Sequence, residues 1–98
     1  MYRNNKLLEI LRDAPICFSC GKHNDGTVLA AHSNQGIHGK GRSLKSDDCY
    51  VAALCYSCHS ELDQGANLTR EQRVAMWNEA CVLTYGWLMK DGKLKLNS

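Results

Sequence analysis

Two C-x-x-C pairs constrain this chain more than any other feature: Cys17 with Cys20 in I-C-F-S-C-G, and Cys55 with Cys58 in L-C-Y-S-C-H. Thiolates three residues apart can turn both sulfurs toward one centre, and two such knuckles hold one Zn²⁺ tetrahedrally. The metal then closes the loop between them. An iron centre is the alternative occupant. A redox role fits poorly, because thioredoxin-like pairs come singly within βαβ units.

The size of the chain explains why a metal matters. At 98 residues it is expected to form one domain, residues 1–98, and a domain this small buries only roughly two thirds of the surface its unfolded chain exposes. A structural zinc adds stability directly, since its site does not exist in the unfolded chain and binding free energy becomes folding free energy. Six cysteines would suggest disulfides in a secreted protein. However, the first residues lead into no apolar signal core, and no later stretch is apolar enough to span a membrane. A cytoplasmic location is therefore expected, with Cys49 and Cys81 as spare thiols packed like small hydrophobes.

Net charge says little about partners. The formal value is +2, and it falls to about zero once four thiolates and a zinc ion are counted. Local charge carries more. Residues 36–45 read G-I-H-G-K-G-R-S-L-K, with Lys40, Arg42 and Lys45 and no acid. Bare backbone N–H groups at the glycines and flexible basic side chains suit close approach to a phosphate chain. Arg3, Lys6 and Arg12 cluster near the start, and Arg70 and Arg73 share a helical face. The aromatic residues show no stacking pattern of the single-strand-binding kind.

Residues 3–13 place Leu7, Leu8, Ile10 and Leu11 at mostly helical spacing, which the Asp13-Ala14-Pro15 break ends. After the first knuckle, residues 27–32 are β-prone and apolar, and residues 49–54 would return as the second strand of a hairpin. The glycine-containing stretch between them has no apolar period and reads as a long loop. A helix is expected from Tyr56 to about Gln64. Thr69 with Gln72 forms a capping box that opens a long helix through Val74, Trp77, Cys81, Tyr85 and Leu88, stopping near Gly92. The Lys93-to-Leu96 tail reads as a short edge strand.

The order is therefore knuckle, strand ending in His32, loop, strand, knuckle fused to His59, helix. With V-L-A-x-H-x-N at Val28 to Asn34, K-x-x-D at Lys45 to Asp48, and C-x-x-C-H-x-x-x-D at Cys55 to Asp63, the chain resembles the zinc-knuckle branch of the HNH, or ββα-metal, endonucleases. More closely, it looks like the short phage and prophage nuclease-domain proteins, related in type to phage recombination nucleases such as NinG and Ref. The resemblance covers about residues 16–65 and extends to the C-terminal helix at about 69–91. It implies a small zinc-stabilised α+β domain, treble-clef-like, with flanking N- and C-terminal helices. It also implies metal-dependent hydrolysis of DNA to 5′-phosphate and 3′-hydroxyl ends, in a bacterial host cytosol.

In that family the histidine ending the first strand is the general base, which here is His32. Hydrolysis of a phosphodiester requires water to lose a proton as it attacks, and imidazole suits that task near neutrality. A divalent cation must also offset charge on the phosphate. His59 and Asp63, at i and i+4 on one helix, share a face and can hold one ion together. Mg²⁺ or Mn²⁺ is expected there. Asp48 or Asn34 would orient the imidazole of His32 by accepting its second N–H. Lys40, Arg42, Lys45, His38 and Asn34 are the expected DNA contacts, with His38 serving phosphate or metal.

Two positions depart from the family pattern. Ala31 stands where many relatives carry a metal-binding aspartate, and Tyr50 stands at the usual place of the middle asparagine. The alternative is thus a non-catalytic zinc module that keeps the fold and binds DNA or a phage recombination protein.

Overall fold

The computed structural model describes residues 2–41 and 44–94. Arg42, and Lys95 and Leu96 of the expected edge strand, lie outside the described residues. Three α-helices and a two-stranded sheet follow in the order α1 (Asn5–Arg12), β1 (Leu29–His32), β2 (Val51–Leu54), α2 (Tyr56–Gln64) and α3 (Arg70–Lys90). A 3-10 turn at Gly36–His38 lies between the strands. The class is α+β, and among the described residues no helix is long and apolar enough to cross a membrane.

Helix α1 begins after Asn4, whose side chain accepts the Leu7 N–H at 3.1 Å and so satisfies one of the unpaired donors of the first turn. Leu7 and Leu11, four residues apart on one face, are its buried contacts. Arg3 and Asn4 precede the helix, with the Arg3 guanidinium and the Asn4 N–H both donating to Asp48.

The strands pair antiparallel with Leu29 opposite Leu54 and His32 opposite Val51. Each is two residues shorter than its sequence suggests, for a local reason. At the start of β1, the Asp25 carboxylate accepts both the N–H and the hydroxyl of Thr27, which makes a side-chain turn in place of a ladder rung. Before β2, the N–H of Tyr50 turns back to the Asp47 carbonyl at 2.9 Å.

Every residue of β2 is buried, which is unusual for an antiparallel strand with one solvated face. Helix α3 packs along it, and α1 packs against both strands. The outer edge of β2 is closed by two groups. Ala53 donates its N–H to Thr84 Oγ1 at 3.1 Å, and its carbonyl accepts the Phe18 N–H at 3.0 Å from the first knuckle. Both backbone groups of Ala53 are therefore paired, and the knuckle is tied to the sheet.

The capping box of α3 forms as expected, with Thr69 Oγ1 accepting the Gln72 N–H and Gln72 Oε1 accepting the Thr69 N–H. Its buried stripe differs from the expected one by one position. Trp77, Ala80, Thr84 and Leu88 are buried, whereas Cys81 and Tyr85 are half-buried. The alanines of β2 leave room for a close approach, which the small Ala80 and Thr84 exploit and larger side chains would block. The helix closes with Gly92 in the left-handed region (φ 67) and the N–H groups of Lys93 and Leu94 on the Leu88 carbonyl.

Replacing Thr84 by the isosteric valine strands the buried Ala53 N–H. Thr84→Val is expected to lower unfolding free energy in urea by about 1–3 kcal/mol. An unchanged midpoint would show that this edge is not sealed by the hydroxyl.

Candidate functional site

The four knuckle cysteines converge. In the first knuckle, Cys17 N–H donates to the Lys22 carbonyl and Gly21 N–H to the Cys17 carbonyl, both at 2.9 Å, while Ile16 bridges His23. Gly21 takes φ 77, the left-handed conformation that lets the chain reverse within so few residues. In the second, Cys55 is the N-cap of α2 and Cys58 lies in its first turn, where the helix dipole favours thiolates. The four sulfurs lie within 4.8 Å of one another, and Cys20 and Cys55 sulfurs are 3.9 Å apart. A tetrahedral zinc with bonds of about 2.3 Å sets sulfurs about 3.8 Å apart, so the cluster is a potential metal site compatible with structural zinc.

The thiols also influence one another. Burial opposes ionisation of Cys17, but backbone N–H groups of Cys55, Cys20 and Ser19 outweigh it and bring its pKa down to about 7. Burial and the neighbouring sulfurs, Cys17 among them, push Cys58 up. A divalent cation removes this mutual opposition, which suits a thiolate cluster to metal. Cys49 and Cys81 stand apart from the cluster. Both are half-buried, and burial followed by the Cys49 charge raises Cys81 to about 11.

Beside the cluster, a cleft of about 200 Å³ is lined by His32, Asn34, Lys40, Lys45, His59 and Asp63, with Ser33 at its inner wall. His32 closes β1, and its Nε2 lies 2.8 Å from Oδ1 of Asp48. Asp48, only 1% exposed, is the acceptor at the centre of a network. Its Oδ2 accepts the Asn4 N–H at 2.7 Å, and Arg3 Nη1 lies 3.2 Å from Oδ1. The same guanidinium donates to the Ser46 carbonyl at 2.7 Å. Burial alone would raise the Asp48 pKa, but donation from His32, Asn4 and Arg3 lowers it.

An ionised carboxylate only accepts, so His32 carries its proton on Nε2. Nδ1 has no hydrogen-bond partner among the described residues. Across the cleft, His59 Nε2 lies 3.2 Å from Asp63 Oδ2, one helical turn on, and Asp63 Oδ1 accepts the Asn34 amide at 2.8 Å. Asp48, not Asn34, thus pairs with His32. His59 and Asp63 offer two donor atoms to a cation, and no third His, Cys, Asp or Glu joins them among the described residues. Mg²⁺ commonly binds through one or two carboxylates plus substrate phosphates and water, so two protein donors are compatible with such an ion.

His38 does not line the cleft. Its Nδ1 lies 2.6 Å from Ser33 Oγ, its ring stacks on Tyr50 at 4.4 Å, and Trp77 approaches at 5.5 Å. The flanking glycines suggested a free loop, but the aromatic rings of more distant segments hold it. Ala31 is buried, and its carbonyl accepts the Trp77 indole N–H at 3.0 Å. The roles of Arg3 and Asn4 in holding Asp48 had no signal in the sequence beyond a local basic cluster.

No protein-family model, curated protein or solved structure matches this chain.

Because the folded-state pKa of Asp48 is depressed, the stability it contributes is complete above the unfolded value near 3.9 and is lost as pH falls through the lower folded value. Asp48→Asn should therefore flatten the acid side of the stability-versus-pH curve, measured by urea unfolding across that range. It should also lower stability at neutral pH, since an amide meets three donors with one acceptor. A variant with the parental acid slope would contradict this assignment.

Proposed function

We propose that this chain is a metal-dependent DNA endonuclease of the ββα-metal type, with a structural zinc on Cys17, Cys20, Cys55 and Cys58. One observation carries the proposal. A carboxylate-oriented imidazole, a histidine–aspartate pair on a helix turn and two lysines line the same cleft.

The scissile phosphate would sit between Lys40 and Lys45 on one side and His59 with Asp63 on the other. A divalent cation held by His59 and Asp63, Mg²⁺ or Mn²⁺, would supply Lewis-acid neutralisation of the phosphate and its leaving oxygen. His32 accepts the proton of the attacking water on Nδ1. As the water oxygen bonds to phosphorus, the bond to the 3′ oxygen breaks, and that oxygen collects a proton from solvent. Asp48 holds the ring and favours the imidazolium that forms, a positioning role. Lys40 and Lys45 counter the phosphate charge, and Asn34 fixes the Asp63 carboxylate through its amide.

Purified protein incubated with circular single-stranded DNA or supercoiled plasmid, and with Mg²⁺ or Mn²⁺, is expected to nick the strand. His32→Ala is expected to abolish nicking with zinc content and fold retained, and Asp48→Asn to slow it by about 10–100-fold. Wild-type protein that leaves both DNAs intact would favour the non-catalytic zinc module instead.

A further inference from the structure

A second concavity, of about 230 Å³, adjoins the cleft and shares Asn34 and Asp63 with it as common walls. Arg70 and Arg73, three positions apart at the start of α3, bring two guanidinium groups to it. Neither makes an ion pair or a side-chain hydrogen bond among the described residues. The carboxylate lining the same space, Asp63, is already engaged by Asn34 and His59. Two guanidiniums without a carboxylate partner make a binding place for phosphate.

The remaining wall specifies more than an anion. Leu62, Val74 and Trp77 supply apolar surface. Asn34 and Gln35 commit their amide nitrogens to Asp63 and Asn78, each at 2.8 Å, which leaves their amide oxygens as acceptors for the N–H groups of a ring edge. Apolar walls, hydrogen-bond acceptors and paired arginines together match a nucleotide rather than a bare phosphate. A base stacked within a duplex cannot enter a concavity without leaving the stack, and unstacking opposes that.

We infer that this concavity is a subsite for one unstacked nucleotide flanking the scissile phosphate, with Arg70 and Arg73 on its phosphates, and that the substrate is single-stranded DNA. This rests on the nuclease reading for the neighbouring cleft and adds the substrate class to it. The strand would run from Lys40 and Lys45, past His32 and His59, to the arginines.

The test measures binding of a short fluorescent oligonucleotide of mixed sequence, single-stranded or as a duplex, to His32→Ala protein, which leaves the probe intact. Single strands should bind roughly tenfold tighter than duplex, about what one buried base contributes. Adding Arg70→Ala with Arg73→Ala should erase that preference and reduce the salt slope of single-strand binding by about 1.4, the value for two phosphate contacts. Val74→Phe, which fills the concavity and keeps both charges, should also lose the preference. Equal affinity for the two forms, or an arginine variant with the parental slope and preference, would overturn the inference. A protein that cuts neither plasmid nor single-stranded DNA yet shows the arginine-dependent preference would sink the nuclease assignment and leave the subsite standing.

Discussion

The convergence of four sulfur atoms within 4.8 Å is the constraint on which the rest of this molecule depends. It joins a turn near the start of the chain to the first turn of α2, and the same turn is tied to the outer edge of β2 through the Phe18 N–H. Sheet, knuckle and helix thus share one fixed corner. A hairpin of four-residue strands has little stability of its own in water. A metal held by the four cysteines would clamp it to a helix and give it a defined position, and α3 and α1 cover it.

That corner determines where the two cleft histidines lie. His59 follows a cluster cysteine directly, so its backbone is placed by the clamp, and Asp63 follows one turn later on the same face. His32 ends the strand that pairs with β2, and its ring is held from the opposite direction by Asp48. The buried Asp48 carboxylate accepts from a histidine, a backbone N–H and a guanidinium, so its charge is compensated despite burial. Two independent supports, one sulfur-based and one carboxylate-based, bring imidazoles from separate segments to one cleft. Such a division suits a catalytic site, where the reacting groups must be held by residues that do not themselves react.

Much of this was legible in the sequence because it is local. The capping box of α3, the start of α2 at the second knuckle and the pairing of His59 with Asp63 depend on residues three or four apart. The strand ends were not, because side-chain and backbone turns at Asp25 and Asp47 take the donors that a longer ladder would need. The one-position rotation of the α3 stripe followed from how closely a strand of alanines lets a helix approach, which is a property of the pair. Arg3 and Asn4 could not be linked to Asp48 by spacing, since the three meet only through the fold. His38 likewise depends on the fold: its ring stacks on Tyr50 and its Nδ1 lies against the hydroxyl of Ser33, contacts that its glycine neighbours did not signal.

Crystal diffraction recorded at the zinc absorption edge tests the central claim most directly. The account predicts one anomalous peak per chain, bonded at about 2.3 Å to the sulfurs of Cys17, Cys20, Cys55 and Cys58. The rings of His32 and His59 should face each other across a single cleft. Absence of that peak, a nitrogen ligand in place of one sulfur, or imidazoles on opposite sides of the molecule would contradict it.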